Sequence, residues 1–359
     1  MHILYYITSH GYGHGVRSCC IANALPKDIQ ITFRTTLPKQ FFHEELQRPF
    51  SYSSGEFDCG CIQSDGVTTD IDSTLQRYKN ITQQNKQVLS DEIRWCQEHH
   101  IDGVISDITP FAFEVAHNLG VPSIAISNFT WFDIYNEYIP GHEFFLPFLD
   151  QMQMQYSLAN TAIALYPSLT MDYFKNIIKV PIIGRRGKDI REKILEKYNI
   201  SATKKIGLIY VGNFGMQTAR WELLERYDNW EFLSVYPLHN NPSNFHLITK
   251  DDFSYQDLIA SSDVMVAKLG YGSVSECMLN GKPIIYLPRT FFAEFPILET
   301  SVTQWGGGIK LSTEEFYNLQ WDNALEDAAS MILEPVVSDG VEKTVKVIES
   351  TFSKETTLR

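Results

Sequence analysis

The chain has 359 residues, more than one compact core of usual size accommodates, so length alone argues for two domains and against a small single module. Hydrophobic residues make up 44% and charged residues 20%, a globular balance that excludes disordered and collagen-like classes. A net charge of -13 argues against a nucleic-acid partner, because phosphate-backbone affinity needs a positive surface, and any phosphate ligand must be held locally.

The amino terminus, Met1 to Ser9, carries no basic leader and only a short apolar run, so it reads as a first strand and not as a secretion signal. No stretch approaches the roughly 18 to 20 uninterrupted apolar residues that a membrane-spanning helix requires. The cysteines Cys19, Cys20, Cys59, Cys61, Cys96 and Cys277 are too irregularly spaced for a disulfide framework, which implies reduced thiols in a cytoplasm.

Strand-length apolar runs alternate with longer amphipathic segments, the rhythm of an α/β protein whose parallel sheets are covered on both faces. In the first half, strands are predicted at His2 to Ile7, Gln30 to Thr35, Gly103 to Ser106, Ser123 to Ser127 and Thr161 to Leu165. A fresh series runs through Ile206 to Val211, Glu231 to Val235, Phe245 to Ile248, Val264 to Ala267 and Pro283 to Leu287. The restart points to two Rossmann-like domains, 1–170 and 171–340, with a last helix in 341–359 able to pack back on the first. Between them Phe174 to Lys193 gathers most of the local basic charge, either as a solvated linker and helix or as an inter-domain wall facing an anion. Ligands of open α/β sheets bind beyond the carboxyl ends of the strands, so function is sought in the loops that follow them.

After the first strand, Ser9-His-Gly-Tyr-Gly-His-Gly-Val-Arg17 leads into an apolar helix. Gly11, Gly13 and Gly15 let backbone pass close to a ligand, and a helix start aims free N–H groups at negative charge. The loop is not a Walker A, and Arg17 stands where a dinucleotide fingerprint needs a small residue. His14, nearest the helix, is the candidate base and His10 a candidate substrate contact, although both could simply bond loop carbonyls. Asp107, at the end of a later strand, could orient that imidazole or cap the helix after Pro110. The aromatic run Phe129 to Tyr138, with Trp131 near its head, and Phe144 to Phe148 could form core or a wall for a sugar or apolar acceptor.

In the second half, Tyr210-Val-Gly-Asn-Phe-Gly215 repeats the strand-then-glycine device, with Gly212, Asn213 and Phe214 as donor-side candidates, although an ordinary tight turn uses glycine as well. The richest segment is Ser262 to Cys277, where Lys268 ends a strand, Gly270, Tyr271 and Gly272 turn, and the amides of Gly272, Ser273 and Val274 would converge on a pyrophosphate. Glu276 could accept a ribose diol, but Ser273-x-x-Glu276 is equally a capping box that needs no ligand. Arg289, Glu294 and Glu299 follow the next strand; Phe253, Lys268, Arg289 and Glu294 are donor-side candidates, and Lys268 or Arg289 could join the amides in stabilising a departing diphosphate. Carboxylates beside a phosphate site suit sugar hydroxyls, which points to a nucleotide sugar. Asp70-Ile-Asp72 has a metal-binding form but precedes a helix that it would cap, and Cys59-Gly-Cys61 and His99-His100 lack ligand partners, so neither a metal nor a cofactor is expected.

Together these residues resemble the GT-B glycosyltransferase superfamily, two Rossmann-like domains facing a cleft. The segments Tyr5 to His14, Ser127-Asn-Phe-Thr-Trp131, Lys268 to Glu276 and Phe292-Ala-Glu-Phe-Pro296 look like motifs of the glycosyltransferase-like N-terminal domain of plant L-arabinokinase. That likeness adds Asn128 to the substrate side and implies no sugar-kinase activity. Similarity to the peptidoglycan N-acetylglucosaminyltransferase implies that His14 occupies the catalytic loop position and that Glu276 sits on the ribose, yet a glutamine-rich donor-sugar motif is not evident at Glu294 to Glu299. Gly11-x-Gly-His-x-x-Arg17 also resembles the UDP-sugar hydrolase of pseudaminic acid synthesis, whose histidine would activate water. The expectation is a metal-independent, inverting transferase that uses a nucleotide diphosphate sugar, a UDP-sugar first, and a carbohydrate or lipid-linked acceptor hydroxyl, with peripheral membrane contact compatible. A hydrolase and a non-catalytic nucleotide-sugar-binding domain are the alternatives.

Overall fold

The computed structural model describes residues 1–63, 68–211, 219–240, 242–249 and 251–356, with side chains to residue 353. Its first sheet contains β1 (His2–Ile7), β2 (Gln30–Arg34), β3 (Ser51–Ser53), β4 (Gly103–Asp107), β5 (Ser123–Ser127), β6 (Thr161–Leu165) and β7 (Ile177–Val180), in the order β3-β2-β1-β4-β5-β6-β7. The second contains β8 (Lys205–Tyr210), β9 (Trp230–Ser234), β10 (Phe245–Leu247), β11 (Val264–Lys268), β12 (Ile284–Leu287) and β13 (Gly308–Lys310), in the order β10-β9-β8-β11-β12-β13. Neighbouring strands in both sheets run parallel. Central strands such as β4, β5 and β6 are buried along their whole length, as strands covered by helices on both faces must be.

Each strand expected from the sequence is present, with ends shifted by a residue or so. The unforeseen strands β3, β7 and β13 are all sheet edges of three or four residues, and their half-exposed side chains give no continuous apolar run. β7 matters for the domain boundary: its pairing with β6 carries the first sheet to Val180, beyond residue 170. Its signal is masked because Lys179 interrupts the run inside the basic stretch.

The final helix, Gly340–Thr356, returns to the first lobe and packs against the helix Tyr12–Ala24 and against β6 and β7. Burying Ile348 and Phe352 there supplies roughly 1.5 to 3 kcal/mol for each side chain. The basic stretch is in part the solvated linker and charged helix expected, since Lys175, Lys179, Lys188 and Lys193 are exposed and the helix Arg191–Tyr198 follows, but three of its arginines are bonded within the protein. Arg185 pairs with Glu45 in the first lobe and Glu276 in the second, Arg191 pairs with Asp263, and Arg186 donates to the Val336 carbonyl. These arginines clip the linker to both lobes. One apolar cluster runs from β1 and β2 through Ile182 and Ile183 to Tyr271 and Val274, so the lobes share buried surface.

Candidate active site

The pairing of β1 with β4 sets Ile7 beside Asp107, which brings the glycine loop after β1 to that carboxylate. Gly11, in extended conformation, is the N-cap of the helix Tyr12–Ala24, so His14 and Arg17 fall one turn apart on the same face. His14 Nδ1 lies 2.7 Å from Asp107 Oδ1, and Arg17 grips both carboxylate oxygens, Nε to Oδ2 at 2.6 Å and Nη2 to Oδ1 at 2.6 Å. Ser18 Oγ also donates to Oδ2 at 3.3 Å. Burial alone would raise the Asp107 pKa; the charges and hydrogen bonds of Arg17 and His14 outweigh it and hold the group below the ordinary value of 3.8. Arg17 Nη2 also lies 3.0 Å from Nδ1 and can only donate, but the ionised Asp107 carboxylate is nearer at 2.7 Å and, as an acceptor, favours the proton on Nδ1, which leaves Nε2 as the basic atom of His14. The helix after Pro110 has no side-chain cap, so the capping alternative for Asp107 is not realised.

Arg17 extends this network. Nη1 donates to Asn128 Oδ1 at 2.6 Å, Nη2 reaches Ser127 Oγ at 3.2 Å, and the guanidinium lies 5.2 Å from the centre of the Tyr271 ring in the other lobe. Asn128 Nδ2 then donates to Glu294 Oε1 at 2.7 Å, crossing between lobes. Asn128 is fully buried and spent on these two bonds, so it joins the lobes and does not face a substrate. Trp131 is likewise fully buried, within the aromatic core of the first lobe, which corrects its assignment as a substrate contact. Its large apolar ring is better satisfied by Phe129 and Tyr135 than by solvent.

His10 packs edge-on against Trp131 and accepts a hydrogen bond on Nδ1 from the Cys61 N–H at 3.2 Å, which puts the ring proton on Nε2. Burial, then the charges of Arg289, His14 and Lys268, hold its pKa well below 6.5, so His10 is neutral. Gly60 makes this packing possible: its φ is +60°, and a Cβ would lie 2.4 Å from His10 Nδ1.

Across from this loop, Gly270 is the extended N-cap of the helix Tyr271–Asn280. Because the helix begins at Tyr271, Ser273 lies inside its first turn and the capping box does not form. The two glycine turns meet: a Cβ on Gly272 would lie 3.6 Å from Gly13 Cα, while Gly270, Gly272 and Ser273 retain partial exposure. Glu276 is not presented as an open ribose acceptor. Arg185 Nε lies 2.5 Å from Glu276 Oε1 while its Nη1 holds Glu45 in the other lobe, because a buried carboxylate needs a cation. Phe253 is half-buried, with the Lys197 ammonium 5.6 Å from its ring centre. Gly212, Asn213 and Phe214 lie outside the described residues.

Lys268 and Arg289 stand at the ends of adjacent strands, since Lys268 pairs with Leu287 two residues before Arg289. Burial, reinforced by Arg289, pushes the Lys268 pKa down to about 8. Arg289 stacks on Phe292, its Cζ 3.4 Å from the ring centre, and its buried Nε and Nη2 have no hydrogen-bond partner. Glu294, held by Asn128, forms no ion pair with it among the described residues. Asp70 caps the helix Ile71–Glu98 by accepting from the Ser73 N–H, and no described cluster of three His, Cys, Asp or Glu residues could hold a metal. A crevice of about 300 Å³, lined by Tyr166, Lys179, Thr300 and Gln304 among others, lies apart from all these residues. Sequence reasoning missed Arg17 as a site residue, although its spacing three after His14 was the available signal; it also missed Gly60 and Arg185, whose partners are remote in sequence.

This arrangement of two parallel-sheet lobes meeting at opposed glycine turns is the GT-B fold of glycosyltransferases. It is similar to the glycosyltransferase of kitacinnamycin (16% identity, TM-score 0.63, covering 98% of this chain and 95% of that one) and to CalG4, the calicheamicin glycosyltransferase (15%, 0.62, 98% and 94%). A UDP-glucosyltransferase from Polygonum tinctorium capable of glucosylating indoxyl matches with a TM-score of 0.65 at 13% identity, covering 98% of each chain. Among curated sequences, L-arabinokinase of Arabidopsis thaliana is 29% identical over 347 residues, 94% of this chain, and the chain spans about a third of that relative's length. No protein-family model matches. No described helix is long and apolar enough to cross a membrane.

Proposed function

We propose that this protein is an inverting glycosyltransferase that moves a sugar from a UDP-sugar to an acceptor hydroxyl without a metal ion. The observation that carries the reading is the His14 imidazole, fixed through Nδ1 by Asp107 beside the opposed start of the helix Tyr271–Asn280. Solved structures of this fold support the donor class: one, Phytolacca americana UGT2, is complexed with UDP-2fluoro-glucose and pterostilbene (TM-score 0.62 at 14% identity).

In the reaction, His14 Nε2 takes the proton of the acceptor hydroxyl as its oxygen bonds to the anomeric carbon. The bond from that carbon to the diphosphate breaks on the opposite face, and the electron pair leaves with the phosphate. Amides at Gly272 to Val274 and the positive end of their helix stabilise the departing charge. Asp107 is a positioning residue: it fixes the tautomer of His14 and the plane of its ring. Gly13 and Gly272 are in contact, so admission of the donor parts the lobes there.

His14→Ala tests the assignment. The rate of UDP release with acceptor present falls roughly 100- to 10,000-fold, the usual worth of a general base, while UDP affinity measured by calorimetry is retained. A variant with undiminished turnover removes His14 from the mechanism. Rapid UDP release by the wild type from donor alone identifies a hydrolase in which the same imidazole activates water, and binding without turnover identifies a regulatory module.

A further inference from the structure

The second lobe sets two cations at adjacent strand ends, next to the start of the helix Tyr271–Asn280. The amides of the helix Tyr271–Asn280 already offer the phosphates a cradle. Lys268 and Arg289 lie beside it and form no ion pair with a carboxylate among the described residues; the Glu294 charge acts on Arg289 from a distance while its carboxylate is bonded to Asn128. The contact of Lys268 Nζ with Gln63 Oε1 is long, at 3.5 Å, and the buried Nε and Nη2 of Arg289 bond nothing. Arg289 is 8% exposed, so bulk water compensates it little, while Lys268 is half-buried beside it.

The position of the pair decides what it can meet. Lys268 is two residues before the N-cap Gly270, Arg289 follows the neighbouring strand, and Phe292 beneath the guanidinium contacts both His10 and Phe129, next to His14. The cations thus lie between the phosphate cradle and the proposed base, the place of the sugar being transferred. Hydroxyl groups on a neutral hexose cannot neutralise a buried guanidinium and the half-buried ammonium beside it; a carboxylate can, through paired charge-assisted hydrogen bonds. Neutral His10, protonated on Nε2, adds a donor and no competing negative charge.

We propose that Lys268 and Arg289 form an anion subsite, separate from the diphosphate cradle, that receives a carboxylate on the transferred sugar, so that the donor is a nucleotide hexuronate. This rests on the nucleotide-sugar reading above.

Calorimetric titration of the whole chain with UDP, UDP-glucose, UDP-galactose, UDP-glucuronate and UDP-galacturonate tests it without an acceptor. One uronate should bind wild type roughly 10- to 100-fold more tightly than its parent hexose, the scale of one or two hydrogen bonds to a charged group. Arg289→Gln and Lys268→Gln should each shrink that ratio toward unity and leave UDP affinity in place. Equal affinity for uronates and hexoses in wild type, a comparison that needs no variant to fold, overturns the proposal. So does an Arg289→Gln effect that is as large on UDP as on the uronate, because the cations then serve the diphosphate. If neither UDP nor any of the sugars binds, the donor reading itself falls and the uronate assignment falls with it.

Discussion

The turns after β1 and β11 are built alike. Each leaves a parallel strand, passes an extended glycine N-cap, Gly11 or Gly270, and enters a helix with no side-chain cap. Their polar furnishing is opposite. Around the first turn, Asp107 accepts hydrogen bonds from His14, Arg17 and Ser18, and Arg17 is shared onward with Ser127 and Asn128. Around the second, Arg289 is buried and Lys268 half-buried beside it, and neither is ion-paired with a carboxylate among the described residues. Buried polar groups in folded proteins are normally partnered, so a satisfied network reads as preorganised machinery and an unsatisfied pair as a site that awaits its partner.

Stability measurements separate the two cases, since removing charge should act in opposite directions. Asp107→Asn leaves Arg17 buried without its counter-ion and should lower the free energy of unfolding by about 3 to 5 kcal/mol, the cost of breaking a buried pair from one side. Arg289→Met removes an unpartnered buried cation and keeps apolar contact with Phe292. It should raise stability by about 1 to 3 kcal/mol, the penalty of an unmet buried polar group, while uronate binding is lost. Urea midpoints at unchanged slope read both effects. Loss of stability in Arg289→Met would make that arginine a structural residue and erase the contrast.

Much of this was legible in the sequence because it is local. Buried strands announce themselves as apolar runs, and glycine turns that lead into helices are contiguous, so the two-lobe fold and the positions of His14 and Gly270 followed from pattern. Asp107 was legible only as one of two options, because choosing between orienting and capping depends on which strand lies beside β1. What pattern could not supply was pairing at long range. The Ser273 to Glu276 spacing reads as a capping box until Arg185, from the linker, takes the glutamate. Asn128 reads as a substrate contact until Arg17 and Glu294 occupy both ends of its amide. Trp131 reads as core or as a sugar platform until the first lobe's aromatic cluster closes over it. The edge strands were lost for the complementary reason, that short, half-exposed segments carry too little apolar signal.

The smallest effect belongs to the residue that joins the two regions. Glu294 comes from the lobe of the cation pair yet bonds Asn128 of the satisfied network. Burial raises its pKa above the ordinary 4.5, and the Asn128 hydrogen bond and the charges of His14, Arg17 and Arg289 offset that only in part. A carboxyl raised in the folded state holds its proton where the unfolded chain has lost it, so its unfavourable contribution is absent below pH 4.5 and grows as pH rises through the folded value. Glu294→Gln keeps an oxygen for Asn128 and removes the titration. Relative to wild type it should therefore gain more stability near neutrality than near pH 4.5, by less than either substitution above. Urea unfolding of both proteins at those two pH values measures the difference. A Gln variant that is weaker near neutrality would mean that ionised Glu294 is the counter-ion of Arg289, and the second turn would then be as fully partnered as the first.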